Sequence, residues 1–286
     1  MRRSRHDFDS SCPACSTTTR QAYLFSKNGC DIYRCRVCGL GRTDVSGFDP
    51  HGYYTKDYFT GGHTDGYADY LASEAVLRAH FRRELRFVRR YRPSGRLFEI
   101  GCAYGFFLQE AKRNFDVSGI ELAEDAVAHC VRMNLNVRRG VADVERLTGM
   151  GPVDVVVLFD VIEHLPDPFE TLDGCAKQLS HEGIIVLTTG DFGSLLARLA
   201  GRKWRLMTPP QHLWFFTAHS FRNWAARAGM RVEAFDHPAK IVPLGLITFQ
   251  LGRMFGIRLP AGTGNRIGVP VNLFDAARIV LRKGSA

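Results

Sequence analysis

FEIGCAYGFFL, residues 98–108, is an apolar run that breaks into small residues and then resumes with aromatics. Phe98, Glu99 and Ile100 read as the end of a strand, Gly101, Ala103 and Gly105 as a turn, and the following FFLQEAKR as a helix. Small residues at such a turn let backbone amides come close to a ligand, and the helix adds a positive end. The same residues also suit tight packing of a strand on a helix, so the turn alone leaves both readings open.

Outward from it, apolar strands alternate with helical stretches: RLFEIGC then GFFLQEAKRNF, VSGIEL then AEDAVAHCVRM, NVRRG, VDVVVLFDVI then PFETLDGCAKQLS, and GIIVLTTG. This alternation predicts right-handed crossovers and a doubly wound, mostly parallel sheet covered on both faces. Such sheets bind ligands beyond the carboxyl ends of their strands. Glu121 closes the next strand, 22 positions after Glu99, where a carboxylate can accept hydrogen bonds from two ribose hydroxyls. Turn and acid together predict a nucleoside-bearing cofactor. The spacing E-I-G-C-A-Y-G departs from G-x-G-x-x-G, which makes a nicotinamide dinucleotide the weaker option.

The 286 residues hold 45% hydrophobic and 23% charged side chains, a globular balance that excludes fibrous and disordered classes. Lys and Arg exceed Asp and Glu by 38 to 29, a net charge of +9 that favours anionic partners: nucleic acid, phosphorylated substrates or anionic lipid. The start, MRRSRHDFDSSC, has basic residues with no apolar stretch behind them, so a cytoplasmic protein without export signal is expected. IVPLGLITFQLGRMFGI (241–257) is short for a bilayer crossing and carries Arg253 and Pro243; it is expected to be buried or to cover a pocket, with peripheral membrane contact the lesser alternative.

Cys12-Pro-Ala-Cys15 and Cys35-Arg-Val-Cys38 have the spacing of a tetrathiolate zinc site. With four thiolates there is no evident open position, so the expected metal is structural and stabilises a module of residues 1–45. Cys30, Cys102, Cys130 and Cys175 are expected to be ordinary small buried residues. Residues 46–93 read as a linker carrying Tyr53, Tyr54, Tyr58 and Phe59, followed by a basic amphipathic helix. On that helix Leu77, Phe81, Leu85 and Val88 form one face and Arg78, Arg82, Arg86 and Arg90 an adjacent one, a solvated face or a nucleic-acid footprint. Residues 94–286 hold the alternating strands and helices and read as one α/β domain.

EIGCAYG with GIEL, VVVLFDVIEHLPDP and GIIVLTTG resembles the class I S-adenosylmethionine-dependent methyltransferases from about residue 94 onward. The resemblance implies a Rossmann-like seven-stranded sheet whose last strand, DAARIVLRK (275–283), is antiparallel. It also implies that Glu99, Gly101, Ala103 and Gly105 shape the site for the methionine part of the cofactor, that Glu121 holds its ribose and that Asp143 approaches its adenine. Asp160 matches the position facing methyl donor and substrate. CRVCGLGRTD and GRKWRLMTPPQHLWFFTAHSF are similar to segments of zinc-ribbon methyltransferases that act on sugars or other small metabolites. For an oxygen or carbon acceptor, His212 and His164 are the candidate bases, and Trp204, Trp214, Phe215 and Phe216 the candidate lining of an acceptor pocket. Two other functions stay open at this point, an RNA methyltransferase and a non-catalytic assembly subunit.

Overall fold

The computed structural model describes residues 6–45, 59, 69–142, 151–254 and 264–284. Asp143, Tyr53, Tyr54, Tyr58 and residues 255–257 lie outside the described residues. The strands run in chain order as β1 (Phe8–Cys12), β2 (Thr17–Lys27), β3 (Cys30–Cys35), β4 (Gly41–Asp44), β5 (Gly95–Ile100), β6 (Phe115–Glu121), β7 (Asn136–Arg139), β8 (Val153–Phe159), β9 (Leu179–Gly190), β10 (Trp214–Phe215), β11 (Met230–Asp236), β12 (Lys240–Pro243), β13 (Gly268–Val271) and β14 (Ala276–Lys283). The helices are α1 (Glu74–Tyr91), α2 (Phe106–Ala111), α3 (Glu124–Arg132), α4 (Pro168–Gln178), α5 (Leu195–Ala200), α6 (Ala218–Arg227) and α7 (Leu244–Met254).

The predicted sheet is present, with seven strands in the order β11-β14-β9-β8-β5-β6-β7. β5 and β6, β6 and β7, and β8 and β9 pair in parallel. Val155 to Leu158 and Ile184 to Leu187 are all fully buried, as expected of strands covered on both faces. Each such side chain contributes about 1.5–3 kcal/mol by burial. The antiparallel strand expected at 275–283 is β14, which pairs antiparallel with β9 on one side and β11 on the other. β11, an additional edge strand, was not foreseen: MRVEAFD alternates charged with apolar residues, buries only Met230, and its register shifts between Val232 and Ala234.

The chain divides into two compact units, one of Met1–Phe48, Asp143–Pro238 and Leu273–Ala286, the other of Asp49–Ala142 and Ala239–Asn272. In the first, β1 to β4 form an antiparallel meander completed by β10, giving a five-stranded sheet. Ile32 from this sheet packs with Phe192, Trp204, Met207 and Phe215 in one apolar cluster. α6 begins with a capping box in which Thr217 and Ser220 satisfy each other's backbone amides.

In the second unit the helix predicted over 67–91 is α1, which buries Val76, Leu77, Leu85 and Val88. Its arginine row is not a uniformly solvated face. Arg78 Nε donates to Glu110 Oε1 at 2.6 Å and Arg82 to the same oxygen at 3.2 Å, and Glu110, on α2, is only 6% exposed in its side chain. Two of the four arginines expected as a nucleic-acid footprint are therefore engaged in neutralising a buried carboxylate. The apolar stretch at 241–257 splits into strand β12, paired with β13, and helix α7. Among the described residues no helix is long and apolar enough to cross a membrane.

Candidate active site and metal centre

β5 ends at Ile100, and the chain turns at once. Gly101, Ala103 and Gly105 all have positive φ, 71°, 45° and 74°. The turn is pinned by Gly101 N donating to Ile120 O at 2.9 Å and Gly105 N to Cys102 O at 2.8 Å. A side chain at Gly105 would meet Leu135 Cδ1 at 2.5 Å and Cys130 Sγ at 2.9 Å, so those side-chain ends would have to shift, in addition to the strain of any other residue at this positive φ. At Ala103 a methyl is carried through the left-handed region, a strain of the kind that concentrates at ligand sites.

Glu99 lies under this turn, 3% exposed, and its Oε2 is buried without a hydrogen-bond partner. Burial, with Cys130 and Glu121 adding to it, pushes its carboxyl well above the usual range. A buried acceptor with nothing to accept from fits a cationic or N–H donor supplied by a ligand. Glu121 is arranged differently. Its carboxylate accepts from the backbone amides of Ala103 at 2.8 Å, Leu122 at 2.7 Å and Ala123 at 2.9 Å. Its expected ribose contacts would thus be made by a group already oriented by three amides, one of them in the strained turn. Burial raises its pKa and those amides oppose the rise.

Tyr104, unassigned from sequence, also belongs here: its hydroxyl donates to Asp125 on α3, and its ring stacks on Tyr70 at 5.7 Å and meets Phe59 edge-on at 5.3 Å. Of the four linker aromatics, Phe59 is thereby placed in the core. A tyrosine between glycines in a loop was the available signal.

In the other unit, β8 runs out at Asp160, whose φ of 56° turns its exposed carboxylate aside. Thr188 holds it, donating from Oγ1 to Asp160 Oδ1 at 2.8 Å. A 3-10 turn, Ile162–His164, follows. His164 and His212 come together there, with ring centroids 4.8 Å apart at 68°. His164 Nδ1 lies 3.0 Å from Gln211 O and His212 Nδ1 2.7 Å from Leu206 O. Burial lowers both rings, His164 to about 4 and His212 to about 3, so both are neutral at physiological pH. Glu163, 5% exposed, completes a group in which one ligand atom from each of Glu163, His164 and His212 lies within 4.8 Å of the others. The segment carrying His212 is anchored at both ends. Trp204 and Arg205 donate to buried Asp275, and Thr43 of β4 donates its hydroxyl to His212 O at 2.6 Å and its amide to Leu213 O at 2.8 Å.

Of the aromatic lining expected for an acceptor pocket, three rings are core and Trp214 is half-buried. Trp204 and Phe216 are 1% exposed and Phe215 2%, and Trp214 spends its indole N–H on the carbonyls of Leu165 and Pro166. These rings are held by apolar neighbours and by indole hydrogen bonds that the spacing of the residues does not reveal.

The sulfurs of Cys12, Cys15, Cys35 and Cys38 all lie within 4.8 Å of one another, with Cys12 and Cys38 at 3.6 Å. Thr19 Oγ1 sits 3.3 Å from Cys35 Sγ and Asn223 Nδ2 donates to Cys15 Sγ at 3.5 Å, an outer shell that orients thiolates. The hydrogen bond from Cys38 first, then backbone amides, lowers Cys12 to about 5. Four converging soft donors with such support fit a tetrahedral ion.

Residues 70–234 match the family described as "Methyltransferase domain". A ubiquinone biosynthesis O-methyltransferase of Caulobacter sp. (strain K31) is 35% identical over 101 residues, which is 33% of this chain and 40% of that protein. The chain therefore spans well under half the length of this relative. A SAM-dependent methyltransferase from Archaeoglobus fulgidus shares the fold at a TM-score of 0.52 and 19% identity, covering 82% of this chain and all of that one. Magnesium protoporphyrin IX methyltransferase from Synechocystis PCC 6803, solved with bound SAH, superposes at 0.51 with 12% identity, covering 83% and 96%.

Proposed function

Because the chain belongs to the methyltransferase domain family, we propose that it transfers a methyl group from S-adenosylmethionine to an oxygen of a small-molecule acceptor, a sugar, sugar-bearing lipid or secondary metabolite. The observation that carries this reading is Glu99, a buried carboxylate with a partnerless oxygen beneath a left-handed turn. When bound, the cofactor supplies an electrophilic methyl on a sulfonium sulfur. Glu99 receives the cofactor's ammonium, Gly101, Ala103 and Gly105 give its methionine part room, and Glu121 holds its ribose. Asp143 is assigned to the adenine. On the acceptor side, Asp160, His164 and His212 together promote loss of the acceptor's proton, which an oxygen nucleophile must give up. The four cysteines hold a structural zinc ion.

Calorimetry with S-adenosylmethionine tests the cofactor half: wild-type protein binds, and Glu99→Gln binds at least about tenfold more weakly, the loss of one charge-assisted hydrogen bond. Absence of binding in zinc-replete wild-type protein would overturn the reading and favour an assembly role. Alanine at Asp160, His164 or His212 is expected to lower turnover at saturating acceptor by about 10²–10⁴; unchanged turnover in all three removes the acceptor-side assignment. An RNA acceptor is the alternative, and steeply salt-dependent RNA binding would support it.

A further inference from the structure

We propose that Glu163, His164 and His212 bind one divalent first-row transition ion, separate from the four-cysteine cluster, with open positions that take an oxygen of the acceptor. The assignment of that oxygen ligand rests on the methyl-transfer reading; the ion site itself does not.

One ligand atom from each residue lies within 4.8 Å of the other two. Ligand atoms round a single ion with bonds of about 2.0–2.2 Å stand roughly 3–4 Å apart, so a small inward turn of the side chains brings the set into range. The donors come from two separate stretches: Glu163 and His164 from the 3-10 turn after β8, His212 from the segment before β10. Leu213 N donates to Glu163 O at 2.9 Å and ties these stretches together at the site. Each ring is also held from behind, His164 by Gln211 O at 3.0 Å and His212 by Leu206 O at 2.7 Å. A hydrogen bond from Nδ1–H to a backbone carbonyl fixes the ring and the tautomer with its lone pair on Nε2, the arrangement that supports metal-ligating histidines. Thr43, bonded to His212 O, fixes the backbone of the third ligand in turn.

Two imidazoles and one carboxylate suit zinc, iron, manganese or cobalt in preference to magnesium or calcium, and three protein ligands leave room for an exogenous oxygen. The carboxylate is buried and both rings are partly exposed, so the site is enclosed on the protein side and open to a small ligand. An acceptor hydroxyl on such an ion is acidified and gives its proton to Asp160, the two rings serving as ligands and not as bases, which makes it a better nucleophile at neutral pH.

The test uses full-length protein whose cysteine cluster is loaded with zinc, titrated with Co²⁺ and read by visible absorption and equilibrium dialysis. The expected result is one further Co²⁺ per chain, with weak ligand-field bands and no thiolate-to-cobalt charge transfer. Glu163→Gln and His212→Asn weaken that uptake by more than about tenfold while zinc content and near-ultraviolet circular dichroism stay as in the wild type. No cobalt uptake by the zinc-loaded wild type, or uptake unchanged in both variants, overturns the site. If a variant loses its native dichroism, the wild-type stoichiometry and spectrum decide alone. Cobalt uptake without S-adenosylmethionine binding sinks the methyl-transfer reading and leaves the ion site standing; the reverse pattern sinks the ion site alone.

Discussion

Glu99 is an acid that the apo fold tolerates at a cost. Its folded-state pKa lies above the unfolded value, so its contribution to stability is fully present below the unfolded pKa of about 4.3 and is lost as pH rises through the folded value. Glu99→Gln should therefore melt at a higher temperature than the wild type at pH 8 in the absence of cofactor, and the gap should close as pH falls towards 5. Thermal scans across that range check this; a gap that widens in acid would contradict it. The same substitution is expected to weaken cofactor binding, so stability and affinity move in opposite directions. The motif around residue 99 was legible because small residues after an apolar strand are a local signal. The orphaned oxygen was not, since it depends on what Cys130, Glu121 and the turn leave unfilled. The histidines were likewise nameable in sequence, whereas their convergence with Glu163 depends on a backbone bond between segments some 50 positions apart.

At the level of elements, α1 and α2 are joined by charge as well as by apolar contact. Arg78→Ala leaves Glu110 buried and paired with Arg82, and because Arg78 is itself 29% exposed the full cost of breaking a buried pair does not apply. A loss of about 1–3 kcal/mol in urea unfolding is expected, with a double-mutant cycle against Glu110→Gln showing coupling of at least about 0.5 kcal/mol. Zero coupling would show that the two groups are merely neighbours. Apolar strands with regular alternation announced themselves in the sequence, whereas the late antiparallel strand was expected only from the family resemblance. β11 did not, because an edge strand needs little apolar surface. The arginine row was visible but its meaning was not, since periodicity places side chains on a face without showing what lies opposite.

Across the whole molecule, the cysteine cluster and the histidine pair fall in one compact unit, linked through Thr43 and by the pairing of β4 with β10. Removing the proposed zinc with a chelator, or replacing Cys12 with Ser, is expected to lower the melting temperature and to speed hydrogen exchange at Thr43, whose amide bonds Leu213 O. Exchange at Thr43 unaltered by chelation would mean that the sheet does not depend on a bound ion. Sequence spacing revealed the cluster itself. It gave no hint that β10, two residues long and about 170 positions further on, completes the sheet.

A fifth strand borrowed from so distant a part of the polypeptide makes the N-terminal meander a poor candidate for exchange. Grafting the equivalent piece from a relative would have to match an edge, a hydroxyl and a buried isoleucine at once, and trimming it away would bare a pairing edge beside the very ring it braces. Evolution is therefore expected to have carried the two stretches forward as a single inherited block.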